Sequence, residues 1–387
     1  MRNRNISYTE ETEYEQSQRR RSKSAWAIVI MLVLIVAILA LVWYKYYRQS
    51  KTFNSYTVNA VNQVTDGSKY MRYADGYVRY TSDGAEAVKG DTVLWNVSYS
   101  MKKPVADTSG DYCVFADKGH QDICITDGTG ANYHISVPDK IVDVRVASQG
   151  VVAVWTDSVD TDNIFLYDVN GTLLLDIATD IAADGFPIAF DLSPDGTKLV
   201  TSCIKIDDEL TTWVTFYNFS AVGQNYSDRV VGSYSFPGTV IPGVKFAGNE
   251  RVCVFTDNGC IIYRMKETPS ELASCSAPRL AAIANDDKYV CLAEDETDGT
   301  TTLTIFDVDG QIKKKIVTGI SYTGMYMEDS ELIIYNNASC IIFNLDGSEK
   351  FRTQMDNGIK SVFPAGHNKY YFIGANEVRQ ITLKSEG

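Results

Sequence analysis

The sequence predicts an all-β chain: a β-propeller of about eight four-stranded blades, with seven the alternative count, preceded by one transmembrane helix. Three observations carry this reading. First, β-prone runs end repeatedly in a glycine turn: Asp-Ile-Cys-Ile-Thr precedes Asp127-Gly128, Ile-Phe-Leu-Tyr-Asp-Val precedes Asn170-Gly171, Leu-Thr-Ile-Phe-Asp-Val precedes Asp309-Gly310, and Ile-Ile-Phe-Asn-Leu precedes Asp346-Gly347. Asn-Gly and Asp-Gly supply the positive φ that tight two-residue hairpins need. Second, the glycine recurs: Gly84, Gly128 and Gly171 lie 44 and 43 residues apart, Gly310 follows after 139 and Gly347 after a further 37. A spacing of about 40–45 residues with four strands per unit is that of a propeller blade. Third, the chain is 45% hydrophobic and holds 24 tyrosines, which suits strands that favour aromatic and β-branched residues.

Residues 1–24 are polar, without apolar periodicity, and predict a disordered cytoplasmic tail. Residues 25–44 carry no charge and are flanked by Trp26 and by Trp43-Tyr44. Twenty apolar residues in a helix span a bilayer, and flanking aromatics suit its interfaces, so an uncleaved anchor is expected. A cleaved signal peptide would have an apolar core of roughly 7–15 residues before a small-residue cleavage site, and Trp43-Tyr44-Lys45-Tyr46-Tyr47 is a poor one. Arg19, Arg20, Arg21 and Lys23 crowd one flank, against Lys45, Arg48 and Lys51 spread over the other. This bias puts the N-terminus in the cytoplasm of a single-pass cell-membrane protein, and the remainder outside.

After a linker at 45–52, residues 53–387 form the extracytoplasmic propeller, each unit running from an inner strand a through b and c to an outer strand d. In the third unit these are Ile141 to Ala147, Val151 to Trp155, Ile164 to Val169 and Leu173 to Ile177. In the fourth they are Ile188 to Leu192, Lys198 to Ile204, Trp213 to Phe219 and Val230 to Phe236. In the sixth they are Leu280 to Ala284, Tyr289 to Ala293, Thr302 to Val308 and Ile312 to Val317. The last unit supplies Lys360 to Pro364, Lys369 to Ile373 and Val378 to Leu383, then ends one strand short. Phe53 to Val58 is β-prone and without a blade of its own, so it is expected to complete the last one, because an unpaired edge invites aggregation. The first unit, residues 59–90, is the least defined.

All eight cysteines lie beyond residue 112, in the part expected to face an oxidising compartment. A turn at Lys118-Gly119 would set Cys113 opposite Cys124, a possible disulfide. The same geometry at Asn258-Gly259 sets Cys253 against Arg264 and not against Cys260. The remaining cysteines sit in apolar runs and read as small hydrophobes.

Phe190-Asp-Leu-Ser193-Pro-Asp195-Gly196-Thr-Lys-Leu-Val200 resembles the Ser-Pro-Asp-Gly hairpin of TolB-type and WD40-like propellers, and the Asp-Val-Asn-Gly and Asp-Val-Asp-Gly turns resemble those of quinoprotein-type propellers. Both resemblances imply fold and no activity. The quinone site of the latter goes with a regular tryptophan in each blade, whereas this domain has Trp95, Trp155 and Trp213, so no cofactor is expected. A basic tail, one anchor and a tyrosine-rich propeller together resemble a family of single-pass, membrane-anchored bacterial propeller proteins, which implies no ligand.

Chemistry is sparse. His120, His134 and His367 have no fixed spacing to an acid or a cysteine, and no nucleophile elbow, P-loop, HExxH or Cys/His metal spacing occurs. No catalytic residue and no metal are assigned. The patterned feature is acidic: Asp157, Asp160 and Asp162, then Asp207, Asp208 and Glu209, then Glu294, Asp295, Glu296 and Asp298 fall in three b–c connections, which emerge on one face. They read as solvated turns, as a docking face for a basic partner, or as a faint calcium site. Tyr70, Tyr73, Tyr77 and Tyr80 read as strand residues before a recognition surface. Residues 53–387 hold 27 basic and 45 acidic groups, which repels nucleic acid. The expected function is a non-enzymatic binding scaffold for a protein, peptide or glycan outside the membrane. The alternative is a surface hydrolase or lyase with its active site on the propeller axis.

Overall fold

Strands with both faces apolar must be covered twice, and the chain meets that demand by stacking sheets in a ring. A computed structural model describes residues 30–40, 51–158, 161–180, 185–328 and 331–385. Among them, those from residue 52 onward form eight four-stranded antiparallel sheets, the eight-bladed propeller expected. The inner strands of blades one to eight are Lys69–Tyr73, Pro104–Ser109, Lys140–Val146, Phe186–Leu192, Gly243–Ala247, Leu280–Asn285, Gly324–Glu328 and Ser361–Pro364.

Eight apolar clusters hold the ring, each shared by two neighbouring blades. The period-two alternation of a strand divides its side chains between them. In the seventh blade Leu332 and Ile334 pack toward blade six while Ile333 packs toward blade eight. The middle strands therefore read as continuous apolar runs. Outer strands alternate toward solvent, as Ile312–Thr318 does.

The eighth blade is completed by Ser55–Gln63 pairing antiparallel with Glu377–Lys384, from Ser55 opposite Lys384 to Gln63 opposite Glu377. The closing strand is thus the expected one but longer, and residues 59–63 belong to it rather than to the first blade. Phe53 adds a parallel bridge to Phe351, and its N–H donates to the Lys350 carbonyl at 2.8 Å. Beneath it, the buried Lys350 ammonium donates to the Tyr370 hydroxyl at 2.9 Å and pairs with Glu331. Closure therefore rests on a satisfied polar triad as well as on backbone pairing.

The glycine turns are not two-residue hairpins. In the third, sixth and seventh blades the N–H of Gly171, Gly310 and Gly347 donates to the carbonyl three residues earlier, and a bulge follows in the strand pairing. Each glycine has φ +83, the left-handed residue that follows a type I turn. These are c–d turns; Gly84 instead opens strand c of the first blade, whose own c–d turn carries Gly90. The spacing counted from Gly84 mixed two kinds of turn, which is why the first unit was poorly framed.

The same longer turns move the cysteine register. Gly119-His120, not Lys118-Gly119, centres the hairpin, so Cys113 lies opposite Thr126 and Cys124 opposite Phe115. The two cysteines are free, as are the other six, and all are buried. Burial raises the Cys113 thiol to about 12 and the Cys124 thiol to about 11. Cys253 faces Ile262 rather than Arg264 for a different reason: Thr256 pairs with Gly259, so the two-residue turn is Asp257-Asn258, one residue earlier than Asn258-Gly259.

Within residues 1–51, residues 30–40 form a helix whose side chains are exposed. Among the described residues no helix is long and apolar enough to cross a membrane. Residues 1–29 and 41–50, which include the predicted tail and both ends of the predicted span, lie outside the described residues.

Gly310 combines positive φ with a close approach: a Cβ there would lie 2.1 Å from the Ala273 Cβ of the preceding blade, whereas at Gly299, also at φ +83, it would meet nothing within 4 Å. Gly299→Ala is expected to cost about 1 kcal/mol and Gly310→Ala about 2–4 kcal/mol in denaturant unfolding, because the second adds a steric conflict to backbone strain. Burial works against ionisation of Asp307, yet hydrogen bonds from the Lys313 ammonium and the N–H groups of Gln311 and Asp309 outweigh it and hold the carboxyl below its usual range. A carboxyl depressed by folding stabilises in full above about pH 4, and that contribution fades as pH falls through the lower folded value. Asp307→Asn, mirroring Asn344 in the seventh blade, should retain the turn and lessen the fall in Tm between about pH 5 and pH 3.

Candidate functional site

An up-and-down blade puts its a–b and c–d turns on one face of the ring and its b–c turns on the other. The acidic b–c clusters do share that second face, and the structure shows what their carboxylates do there. Asp157 and Asp162 are cross-strand partners, and Asp162 is raised by burial and by Asp157. Asp160 lies outside the described residues. Asp207, Asp208 and Glu209 are exposed, with Lys205 3.2 Å from Asp207. Asp298 caps its own turn through the Thr300 N–H and hydroxyl, Asp295 accepts from the Thr301 hydroxyl at 2.9 Å, Glu296 pairs with Arg279, and Glu294 accepts the Arg279 N–H at 3.5 Å. No three His, Cys, Asp or Glu residues among those described converge on a metal-sized position. The clusters belong to separate blades and serve their own turns.

The opposite face holds a cavity. At the C-terminal ends of the inner strands of blades two to seven, the axial channel opens into a space of about 580 Å3. Its charged lining is Asp107, Asp191, Asp286, Asp287 and Glu328 against Lys245 and Lys288. Inner strands run along the axis, so their last residues from six blades meet at one mouth although they are far apart in sequence.

The groups are held by neighbouring blades. Asp107 accepts the Val146 N–H at 2.9 Å, and Asp191 accepts the Phe246 N–H at 2.8 Å and the Lys245 ammonium at 3.2 Å. The Arg145 guanidinium lies 2.9 Å from Asp143, 3.4 Å from Asp191 and 5.0 Å over the Phe190 ring. Glu328 pairs with Arg72 of the first blade and accepts from the Tyr326 hydroxyl. Asp286 caps its own turn through the N–H groups of Lys288 and Tyr289, and Asp287 accepts the Gly248 N–H at 3.2 Å.

Burial raises the Asp107 carboxyl above its usual range, only partly offset by Arg145 and Lys245. Asp286 is raised by burial too, against the N–H bonds of its turn. The mouth is therefore a pre-oriented, net acidic ring containing two carboxyls that hold their protons more tightly than usual.

The a–b turns link around this mouth. The Ser193-Pro-Asp-Gly turn, read as fold alone, receives the Ser148 hydroxyl at the Pro194 carbonyl at 2.7 Å, and the Asp195 N–H donates to Asn249 at 3.0 Å. Blades three, four and five are joined through it.

Sequence inspection missed the axial acids because Asp107 and Asp191 are single carboxylates inside inner strands, each two residues before a turn and without an acidic neighbour in its own strand; the one signal was a charge where an inner strand ends. His120 lies 3.3 Å from Asp117, in a b–c turn away from the mouth. Of the four early tyrosines, Tyr73 and Tyr77 are buried, the latter 5.1 Å from Tyr371, so they serve as strand core.

BamB from Moraxella catarrhalis shares the fold at a TM-score of 0.55 and 12% identity, over 85% of this chain and all of that one. Sqt1 from Saccharomyces cerevisiae does so at 0.55 and 10%, over 87% and 99%. A eukaryotic initiation factor does so at 0.52 and 11%, over 86% and 92%. Identities this low speak to fold alone. No curated protein matches the chain in sequence. Residues 49–383 match the family model described as "Family of unknown function (DUF5711)", and the chain belongs to that family.

Proposed function

We propose that the protein is a membrane-anchored binding scaffold whose axial mouth takes a basic segment of a partner protein or peptide outside the membrane. The observation that carries this is the pre-oriented acidic mouth, with five carboxylates to two ammonium groups around about 580 Å3. Charges held in place by neighbouring blades lose little on binding, which favours specificity and rapid encounter. The anchor rests on the twenty uncharged residues 25–44 and on the exposed apolar side chains of the helix at 30–40. The basic flank at Arg19 to Lys23 supports a cytoplasmic N-terminus and an extracytoplasmic propeller.

The hydrolase or lyase reading draws on one observation. Asp107, raised by burial and flanked by Arg145 and Lys245, has the character of a general acid on the axis. Asp107→Asn separates the two readings, since binding without chemistry needs no proton from that carboxyl.

The test titrates full-length protein in detergent with a fluorescent hexalysine peptide and with a hexaglutamate control. Hexalysine should bind in a salt-sensitive manner. Asp286→Asn with Asp287→Asn, which keeps the turn, should weaken it by about tenfold, or about 1.4 kcal/mol. Asp207→Asn with Asp208→Asn removes the same charge from the opposite face and should leave binding within about twofold. Equal losses from both pairs would reduce the effect to overall acidity and overturn the axial site.

A further inference from the structure

A second cavity, about 340 Å3, lies between blades three and four and is lined by no inner strand. Its walls come from Ile177 and Ala178 on the outer strand of the third blade, and from strands b, c and d of the fourth, Lys198–Ile206, Leu210–Asn218 and Val230–Pro237. Over most of this interface the fourth blade presents apolar side chains: Leu199 and Tyr217 pack with Trp155, Ile164 and Ile177. Two residues further along strand b, and two back along strand c, the same faces change chemistry. Thr201 stands opposite Thr215, Thr215 opposite Ser233, and Cys203 opposite Trp213. A row of three hydroxyls beside an indole replaces the apolar packing.

The hydroxyls are not all satisfied. Thr215 and Ser233 bond to each other at 2.9 Å, but the Thr201 hydroxyl, on a residue only 2% exposed, has no hydrogen-bond partner among the described residues. Leaving a buried hydroxyl unpaired costs about 1–3 kcal/mol, and a valine of the same shape would avoid that cost. Trp213 is 38% exposed although it lines the cavity. Asp228 completes the wall from a backbone at φ 53, followed by Arg229 at φ 61. Two successive non-glycine residues in the left-handed region are strained, and such strain persists where the surroundings impose it. The Asp228 carboxylate accepts the Ser227 hydroxyl at 3.0 Å, and a carboxylate has capacity for further donors.

We propose that this cavity binds a neutral sugar ring. A pyranose has an apolar C–H face that packs on an indole and a rim of hydroxyls that both donate and accept, matching Trp213, Thr201 and Asp228. An anionic ligand would face Asp228 with no lysine or arginine among the described lining residues. A purely apolar ligand would leave Thr201 unpaired. The volume lies at the low end of small-molecule sites, about 300–1,000 Å3, which suits one ring better than an extended peptide. The site is separate from the axial mouth and stands whether or not that mouth binds a basic partner.

The test uses the full chain in a zwitterionic detergent without a sugar headgroup, titrated by calorimetry with glucose, galactose, mannose and N-acetylglucosamine, their dimers, and glucuronate as the anionic control. Saturable binding of at least one neutral sugar is expected, with a change in tryptophan emission that Trp213→Phe abolishes. Trp213→Ala should remove binding, and Thr201→Val should weaken it about tenfold, near 1.4 kcal/mol, while leaving Tm unchanged or higher because it deletes an unpaired buried hydroxyl. A dimer binding at least about tenfold tighter than its monomer points to a glycan chain as the source; equal affinities point to a free sugar. No saturable heat for any neutral sugar at about 10 mM, or binding indifferent to both Trp213→Ala and Thr201→Val, overturns the proposal.

Discussion

The antiparallel pair between Ser55–Gln63 and Glu377–Lys384 is the contact on which the ring depends. Each blade buries both faces, so no blade is complete without two neighbours. Without the closing strand, the last blade would expose a strand edge, and the apolar cluster that joins it to the seventh, against which Phe53 and Tyr56 pack, would lose that cover. The Glu331, Lys350 and Tyr370 group stands where the closing strand meets the seventh blade. Its polar atoms satisfy one another, so a charge taken from water there is compensated rather than stranded.

Closure also turns a linear repeat into a radial one, and that creates the axial mouth. Inner-strand ends become a rim around the axis, where Asp107, Asp191 and Glu328 meet although they occupy three different blades. Asp107 bonds to Val146 and Asp191 to Phe246 on the next inner strand, and Glu328 pairs with Arg72 of the first blade, so the charges that shape the mouth also bind blade to blade. The groups proposed to receive a basic segment are therefore also contacts between blades. The cavity between blades three and four has the opposite origin: it is a place where inter-blade packing stops and hydroxyls take over.

Much of the fold was legible. The c–d turns, the blade order and the missing last strand follow from Asp-Gly and Asn-Gly spacing and from β-prone runs. The register errors come from where each turn is centred and how long it is. Three c–d turns carry a left-handed glycine after a type I turn with a compensating bulge, and the Cys113 hairpin centres one residue later than its sequence suggests, which displaces Cys113 from Cys124. Gly84 misled the first blade because a b–c glycine is indistinguishable in sequence from a c–d one. The chemistry of the acidic b–c loops is local where it is described: Asp298 caps its turn and Glu296 pairs with Arg279.

By itself the sequence determined the repeat, and with it the class of fold, because hairpin chemistry and two-residue alternation are local properties that each blade states independently. It also determined that both faces of the middle strands must be buried. Tertiary structure alone decided the two cavities. Asp107 and Asp191 are 84 residues apart, and Thr201 and Ile177 belong to different sheets. Their meeting depends on how one blade packs on the next, and for the axial acids on the ring as a whole, which no segment of the chain encodes alone.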